Sequence, residues 1–216
     1  ANGHAEPYNL KFIEVGNENY QAGDIGYVER YYMFYKAIKE KYPEIVVIGN
    51  VEAWGTDTPS WRNKYPVDLV DEHYYMAPDW FFGNAARYDN YDRKGPKVFA
   101  GEYACHMRNK NWNHFEPALL EAAFMTGLER NADVVHMATY APLFAHVDAW
   151  QWRPDMIWFD NLRSMPTASY YVQQMFATNK GTNVLPLTMD GRPLTGGEGQ
   201  NGLFASATID KDANQI

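Results

Sequence analysis

The sequence contains one cysteine, Cys105, which excludes an internal disulfide and a cysteine-built zinc site and leaves the redox compartment open. Clusters of Lys and Arg are also missing. Nineteen basic residues stand against 27 acidic ones, a formal net charge of −8, so nucleic acid is not an expected partner. No apolar run approaches the roughly 20 residues that span a bilayer, and no membrane partner is expected either. No glycine-rich phosphate loop follows the first strand-like segment: Gly16-Asn17-Glu18 puts a carboxylate where a dinucleotide's pyrophosphate would need backbone amides. The chain starts at Ala1 without a charged-then-apolar leader and ends soon after a strand-like segment, so it reads as a piece of a longer protein. What it does have is 46% hydrophobic and 16% aromatic residues in 216, enough for the packed core of one domain with a small appendage.

Extended apolar segments alternate with amphipathic ones. Asn9–Val15 reads as a strand, and Asp24–Lys41 places Val28, Tyr31, Tyr35 and Ile38 at helical spacing. Ile45–Gly49 is a short β-branched run of the kind buried on both faces of a sheet. Leu69–Tyr75, Lys97–Ala104 and Val134–Tyr140 are the next strands. Helical segments are expected around Pro78–Tyr91, from an Asn113/Glu116 capping box to about Arg130, and over Thr167–Thr178, closed by Gly181. Five strand–helix units at roughly 30 residues each predict right-handed crossovers and a parallel sheet. The expected class is α/β, a partial (β/α)8 TIM barrel. A complete barrel takes roughly 250 residues, so about three units are expected to precede residue 1. From Asn183 the pattern becomes β-rich, with Ala205, Ala207 and Ile209 alternating with polar residues. The expected division is a barrel portion over 1–181 and the start of a β-sandwich over 182–216.

In such a barrel the chemistry sits at the C-terminal ends of the strands. The first strand closes on Gly16-Asn17-Glu18-Asn19 and the fourth on Gly101-Glu102-Tyr103. Two carboxylates on one rim suit glycoside hydrolysis, in which one protonates the leaving oxygen and the other attacks the anomeric carbon or activates water. The third strand closes on Asp71-Glu72-His73-Tyr74-Tyr75, where a histidine or tyrosine could orient the attacking carboxylate. A metal reading with His73, His106, His136 and Glu72 has no HxH or HExxH spacing behind it, so neither metal nor cofactor is expected. Among the tryptophans Trp54, Trp61, Trp80, Trp112, Trp150, Trp152 and Trp158, the loop pair Trp150 and Trp152 is the preferred wall for a sugar subsite.

Six stretches, taken in order, resemble glycoside hydrolase family 51, the α-L-arabinofuranosidases. They are Tyr8 through Gly16-Asn17-Glu18, Val67 through Tyr75, Phe99–Ala104, Met137–Phe144, Pro154–Asn161 and Ser169–Gln173. The resemblance implies a retaining mechanism with Glu18 as general acid/base closing the fourth barrel strand and Glu102 as nucleophile closing the seventh. The five strands would then be the fourth to eighth, in agreement with the count of missing units, and a C-terminal β-sandwich would follow. It further implies that Asn17 bonds the sugar hydroxyl next to the anomeric carbon, that Tyr74 holds Glu102 and that His73 lies beside the substrate. The implied partner is an arabinose-containing polysaccharide or oligosaccharide, and the family often forms oligomers. Residues from the first barrel strands are absent here, so this piece alone is expected to be poorly folded and inactive. Two alternatives stay open: a barrel glycosidase acting on a β-linked xylan or glucan backbone, and a non-catalytic sugar-binding module. The first reading expects carboxyls about 5–5.5 Å apart; an open cleft lined by Trp would favour the first alternative, and carboxyls more than about 10 Å apart the second.

Overall fold

A computed structural model describes residues 3, 6, 8–19, 26–50, 65–107 and 112–216. Five strands, β1 (Phe12–Val15), β2 (Val46–Asn50), β3 (Leu69–Met76), β4 (Lys97–Cys105) and β5 (Val135–Tyr140), form one sheet in sequence order. Every neighbouring pair is parallel. This is the parallel order that the repeated strand–helix pattern predicts. β2 and β3 are almost wholly buried, β2 through its apolar run Val46–Ile48 and β3 with Asp71, Glu72 and His73 buried in mid-strand.

The helices are α1 (Tyr27–Lys41), α2 (Pro78–Gly83), α3 (Phe115–Arg130) and α4 (Ala168–Thr178). α1 lays Tyr27, Val28 and Tyr31 onto Val47, forming a small core of its own. A larger core joins Val70, Val98 and Ala100 of the sheet to Phe81, Phe124 and Leu128 of the helices. α2 is shorter than the sequence suggests. After Gly83 the chain runs through successive i→i+3 turns, Arg87 N–H to Asn84, Asp89 N–H to Ala86 and Tyr91 N–H to Tyr88. These turns bring Arg87 and Tyr88 against buried Glu72.

The capping box expected at Asn113 and Glu116 does not form. His114 is the N-cap of α3 without a side-chain cap bond, and Asn113 instead bonds the backbone of Asp155 and the Trp158 indole. α4 ends one turn before Gly181, with Asn179 as its cap. The loop after β5 contains three strands too short for a periodicity signal: β6 (Phe144–His146), β7 (Ile157–Phe159) and β8 (Ser164–Pro166), in a separate small sheet. Beyond it, β9 (Asn183–Leu185) pairs antiparallel with β12 (Ala207–Ile209), and β10 (Thr188–Met189) with β11 (Arg192–Pro193). Phe204 of this segment stacks on Phe82 of α2, ring centroids 5.4 Å apart. Among the described residues no helix is long and apolar enough to cross a membrane.

Glu121 of α3 is wholly buried, and its Oε1 accepts the Cys105 N–H at the end of β4 (2.9 Å). Burial pushes this carboxyl from 4.5 up to about 7, although the bond from Cys105 opposes the shift. The folded state therefore retains a proton that the unfolded chain releases, and stability falls as pH rises from about 4.5 to 7. Glu121→Gln keeps the acceptor and removes the titration. Denaturant unfolding should show the variant gaining on the parent by something on the order of 2–3 kcal/mol between pH 5 and pH 8; a pH-independent difference would remove Glu121 from this account.

Candidate active site

The turn after β1 presents Glu18. Its φ of 48° is rare for a residue bearing a Cβ, and Gly16, at φ 93°, starts the turn. A buried residue of β2 holds the turn in place. Asn50 Nδ2 donates to the Val15 carbonyl (3.2 Å) and to Asn19 Oδ1 (3.0 Å), and the Asn19 N–H donates to Asn50 Oδ1 (3.1 Å). The Tyr27 hydroxyl donates to the Val15 carbonyl (2.7 Å) and accepts the Asn50 N–H (3.0 Å). A Cβ at Gly16 would lie 2.2 Å from Asn19 Oδ1, so only glycine fits beneath this network.

Glu102 reaches the same face through an irregularity in β4. Val98 and Ala100 face the core, and strict alternation would send residue 102 the same way. The register against β5 shifts between Ala100 and Tyr103, and that against β3 between Asp71 and His73. Tyr103 becomes the next core residue, and Glu102 pairs with His73 on the other face. The Gly101 N–H donates to Asp71 Oδ1 (2.9 Å), and a Cβ at Gly101 would sit 2.0 Å from that oxygen.

His73 lies between the two glutamates. Its Nδ1 is 3.0 Å from Glu18 Oε1 and 3.6 Å from Glu102 Oε2, and its Nε2 is 2.6 Å from Asp71 Oδ2. Burial alone would lower its pKa; the carboxylates of Asp71, Glu18 and Glu102 outweigh burial and push it from 6.5 up to about 9. The resulting stabilisation is whole below about pH 6.5 and is lost as pH rises through about 9. One ligand atom each from Glu18, His73 and Glu102 lie within 4.8 Å of one another, close enough to share a cation. The other histidines proposed as ligands are elsewhere: His136 is exposed on β5, and His106 packs on Tyr75 and Trp152.

The tyrosine that holds Glu102 is Tyr75, whose hydroxyl donates to Glu102 Oε2 (2.6 Å). The expectation for Tyr74 is thereby corrected. Alternation along β3 turns Tyr74 to the opposite face, where its hydroxyl meets Glu72 and Tyr88. Glu72, also considered as a metal ligand, is buried there too, 3.5 Å from the Arg87 guanidinium. If the full-length protein uses Glu102 in catalysis, Tyr75→Phe in that protein should cost roughly 10- to 100-fold in kcat with little change in stability, since a bond to a charged group is worth about 1.5–3 kcal/mol. Tyr74→Phe should cost stability instead; the opposite partition of kcat and unfolding free energy would reverse the two assignments.

Asn17 is exposed on the same turn as Glu18. Trp152 packs edge-on against Tyr75, ring centroids 5.8 Å apart, and so borders Glu102. Trp150 instead carries the Arg153 guanidinium 3.8 Å from its ring centre and touches Trp158. Trp112 and Trp158 also face Arg153, and Trp80 stacks on Tyr74. Trp54 and Trp61 lie outside the described residues. Asp71 and Asn50, which build the site from below, carry no sequence signal, because their partners come from other strands.

Comparison with known proteins gives this geometry a family. The α-L-arabinofuranosidase 1 domain matches residues 1–93, and the α-L-arabinofuranosidase C-terminal domain matches residues 101–214. An extracellular exo-α-L-arabinofuranosidase of Streptomyces chartreusis is 47% identical over 189 residues, 85% of this chain and 22% of its own length. The chain belongs to the family 51 α-L-arabinofuranosidases. A second family member, α-L-arabinofuranosidase 1 of Arabidopsis thaliana, is 39% identical over 88% of this chain and 27% of its own length. The chain thus spans about a quarter of the curated family members it matches. An arabinose-bound family 51 structure superposes with a TM-score of 0.81 at 38% identity, covering 97% of this chain and 33% of that one.

Proposed function

We propose that the full-length protein carrying this chain is a retaining glycoside hydrolase that removes terminal α-L-arabinofuranosyl residues from arabinoxylan or arabinan. The observation that carries this reading is the approach of Glu18 and Glu102 to within 4.8 Å, oxygen to oxygen, at the C-terminal ends of parallel strands. Retaining glycosidases separate their carboxyls by about 5–5.5 Å, whereas inverting ones leave about 6.5–9.5 Å for a water. Glu102, oriented by Tyr75, attacks the anomeric carbon while Glu18 gives its proton to the departing oxygen. The bond to the polysaccharide breaks as the ester to Glu102 forms. Water then attacks that ester, Glu18 takes the water's proton, and arabinose leaves with its original configuration.

The five parallel strands correspond in this reading to the fourth to eighth of a (β/α)8 barrel over residues 1–181, and the antiparallel pairs after 182 to the start of a β-sandwich. Asn17 bonds the hydroxyl next to the anomeric carbon, His73 lies beside the bound sugar, and Trp152 walls the subsite next to Tyr75, with Trp150 farther along the loop. Likeness to the extracellular Streptomyces enzyme favours secretion.

The test is hydrolysis of 4-nitrophenyl α-L-arabinofuranoside by the full-length protein, beside the β-xyloside and β-glucoside, with the first-formed anomer read by proton NMR. Release of α-arabinose is expected. Cleavage of β-xylosides or β-glucosides alone would favour action on a polysaccharide backbone, and no cleavage of any glycoside would favour sugar binding without chemistry.

A further inference from the structure

The reaction above uses Glu18, Glu102 and Tyr75, yet the most deeply buried charged group on this face is none of these. Asp71 is 2% exposed and both its oxygens are engaged. Oδ1 accepts the N–H of Gly101, at the irregularity that turns Glu102 out of the core (2.9 Å). Oδ2 lies 2.6 Å from His73 Nε2, the ring nitrogen opposite the one facing Glu18. We propose that Asp71 is a two-armed positioning residue: one arm fixes the irregularity that presents Glu102, and the other fixes the His73 tautomer that serves Glu18. This inference rests on the retaining glycosidase reading and adds a residue to its machinery.

A carboxylate has no proton to give at neutral pH, so Nε2 must carry hydrogen and donate to Oδ2. With Asp71, Glu18 and Glu102 all ionised the ring holds a hydrogen on Nδ1 as well, and it gives that hydrogen up, becoming neutral, as Glu18 gains a proton. Nδ1 donates to Glu18 when the carboxyl is ionised, and neutral His73 accepts from Glu18 when the carboxyl is protonated. Glu18 passes through both states in each turnover, so a neighbour committed to donating would oppose the acid form on which leaving-group departure depends. Among the described residues the titratable groups facing this pair are all carboxyls: Glu102 of β4 and Glu14 of β1, which burial and its hydrogen bond with Asp71 push up to about 8. The ring accordingly keeps its Nε2 proton throughout.

Asparagine at position 71 separates the two arms. The Gly101 N–H demands an acceptor, so the amide oxygen takes the place of Oδ1 and the amide nitrogen faces His73. Nε2 must then accept and Nδ1 must carry the hydrogen, which locks His73 as a donor to Glu18. In the full-length protein, Asp71→Asn should lower kcat/KM by about 10- to 100-fold on a substrate with a poor leaving group, such as an arabino-oligosaccharide. With 2,4-dinitrophenolate as leaving group, which departs without a proton, the loss should be under about 3-fold. In a His73→Gln background, Asp71→Asn should add less than about 3-fold, because the tautomer it alters is no longer there. Asp71→Ala, which also frees the Gly101 N–H, should lower both substrates.

Equal losses of Asp71→Asn on both leaving groups, or losses that multiply in the His73→Gln background, would overturn the proposal while leaving the glycosidase reading intact. Failure of the parent enzyme to cleave any α-L-arabinofuranoside would bring down that reading, and this inference with it.

Discussion

Glu102→Ala in the full-length protein should lose at least about 10⁴-fold in kcat on 4-nitrophenyl α-L-arabinofuranoside, the scale set by deleting a covalent nucleophile. Added azide should restore part of the rate and yield β-L-arabinofuranosyl azide, inverted relative to the substrate. Azide succeeds because truncation to Ala opens a space beside the anomeric carbon that a small anion can enter, and because the phenolate departs with little help. The single displacement then inverts, where the native double displacement retains. The Glu102 side chain is 31% exposed, so the stability lost is confined to the bond from the Tyr75 hydroxyl and the attraction to His73. Retained configuration in the azide product, or a variant that keeps wild-type turnover, would remove Glu102 from the role of nucleophile.

How much of this site could be read before the fold was known depends on the range of the forces involved. β-branched runs and helical spacing made the five-stranded parallel sheet legible, because both are local patterns repeated over many residues. Glu18 and Glu102 were legible as a pair because each closes a strand. Their common face was not, since period-two counting from Val98 and Ala100 would bury residue 102, and only the register shift near Gly101 reverses it. The same parity decides between the adjacent tyrosines. Tyr75 shares its face with His73 and Asp71, and Tyr74 shares the core with Phe124, ring centroids 5.5 Å apart. Asn50 and Asp71 stand 31 and 30 residues from the groups they hold, Asn19 and Gly101, and a polar residue in mid-strand has no local feature that names such a partner. The strands of the loop after β5 have three residues each, less than two periods of alternation, so they left no pattern to count.

Glu18→Ala is the complementary case, and its effect should depend on the substrate in a way that Glu102→Ala does not. With an arabino-oligosaccharide, whose leaving alkoxide needs a proton, kcat/KM should fall by about 10²- to 10⁴-fold. With a 2,4-dinitrophenyl substrate the first step needs no acid and should proceed. The arabinosyl ester on Glu102 should then accumulate, because no base remains to activate water, and a burst of dinitrophenolate should precede slow turnover. Azide should relieve this second step, since an anion needs no base, and the product should be α-L-arabinofuranosyl azide with configuration retained. The structure adds a constraint on how the residue is replaced. Glu18 sits at φ 48° in a turn held by Asn19 and Asn50, so Ala carries the same backbone strain and the turn's geometry persists. A loss that is equal for both leaving groups, without a burst, would mean that Glu18 serves binding or folding and that proton transfer is carried by another group. Opposite azide stereochemistry in the two variants, measured on one substrate, would assign the two carboxylates to their separate steps.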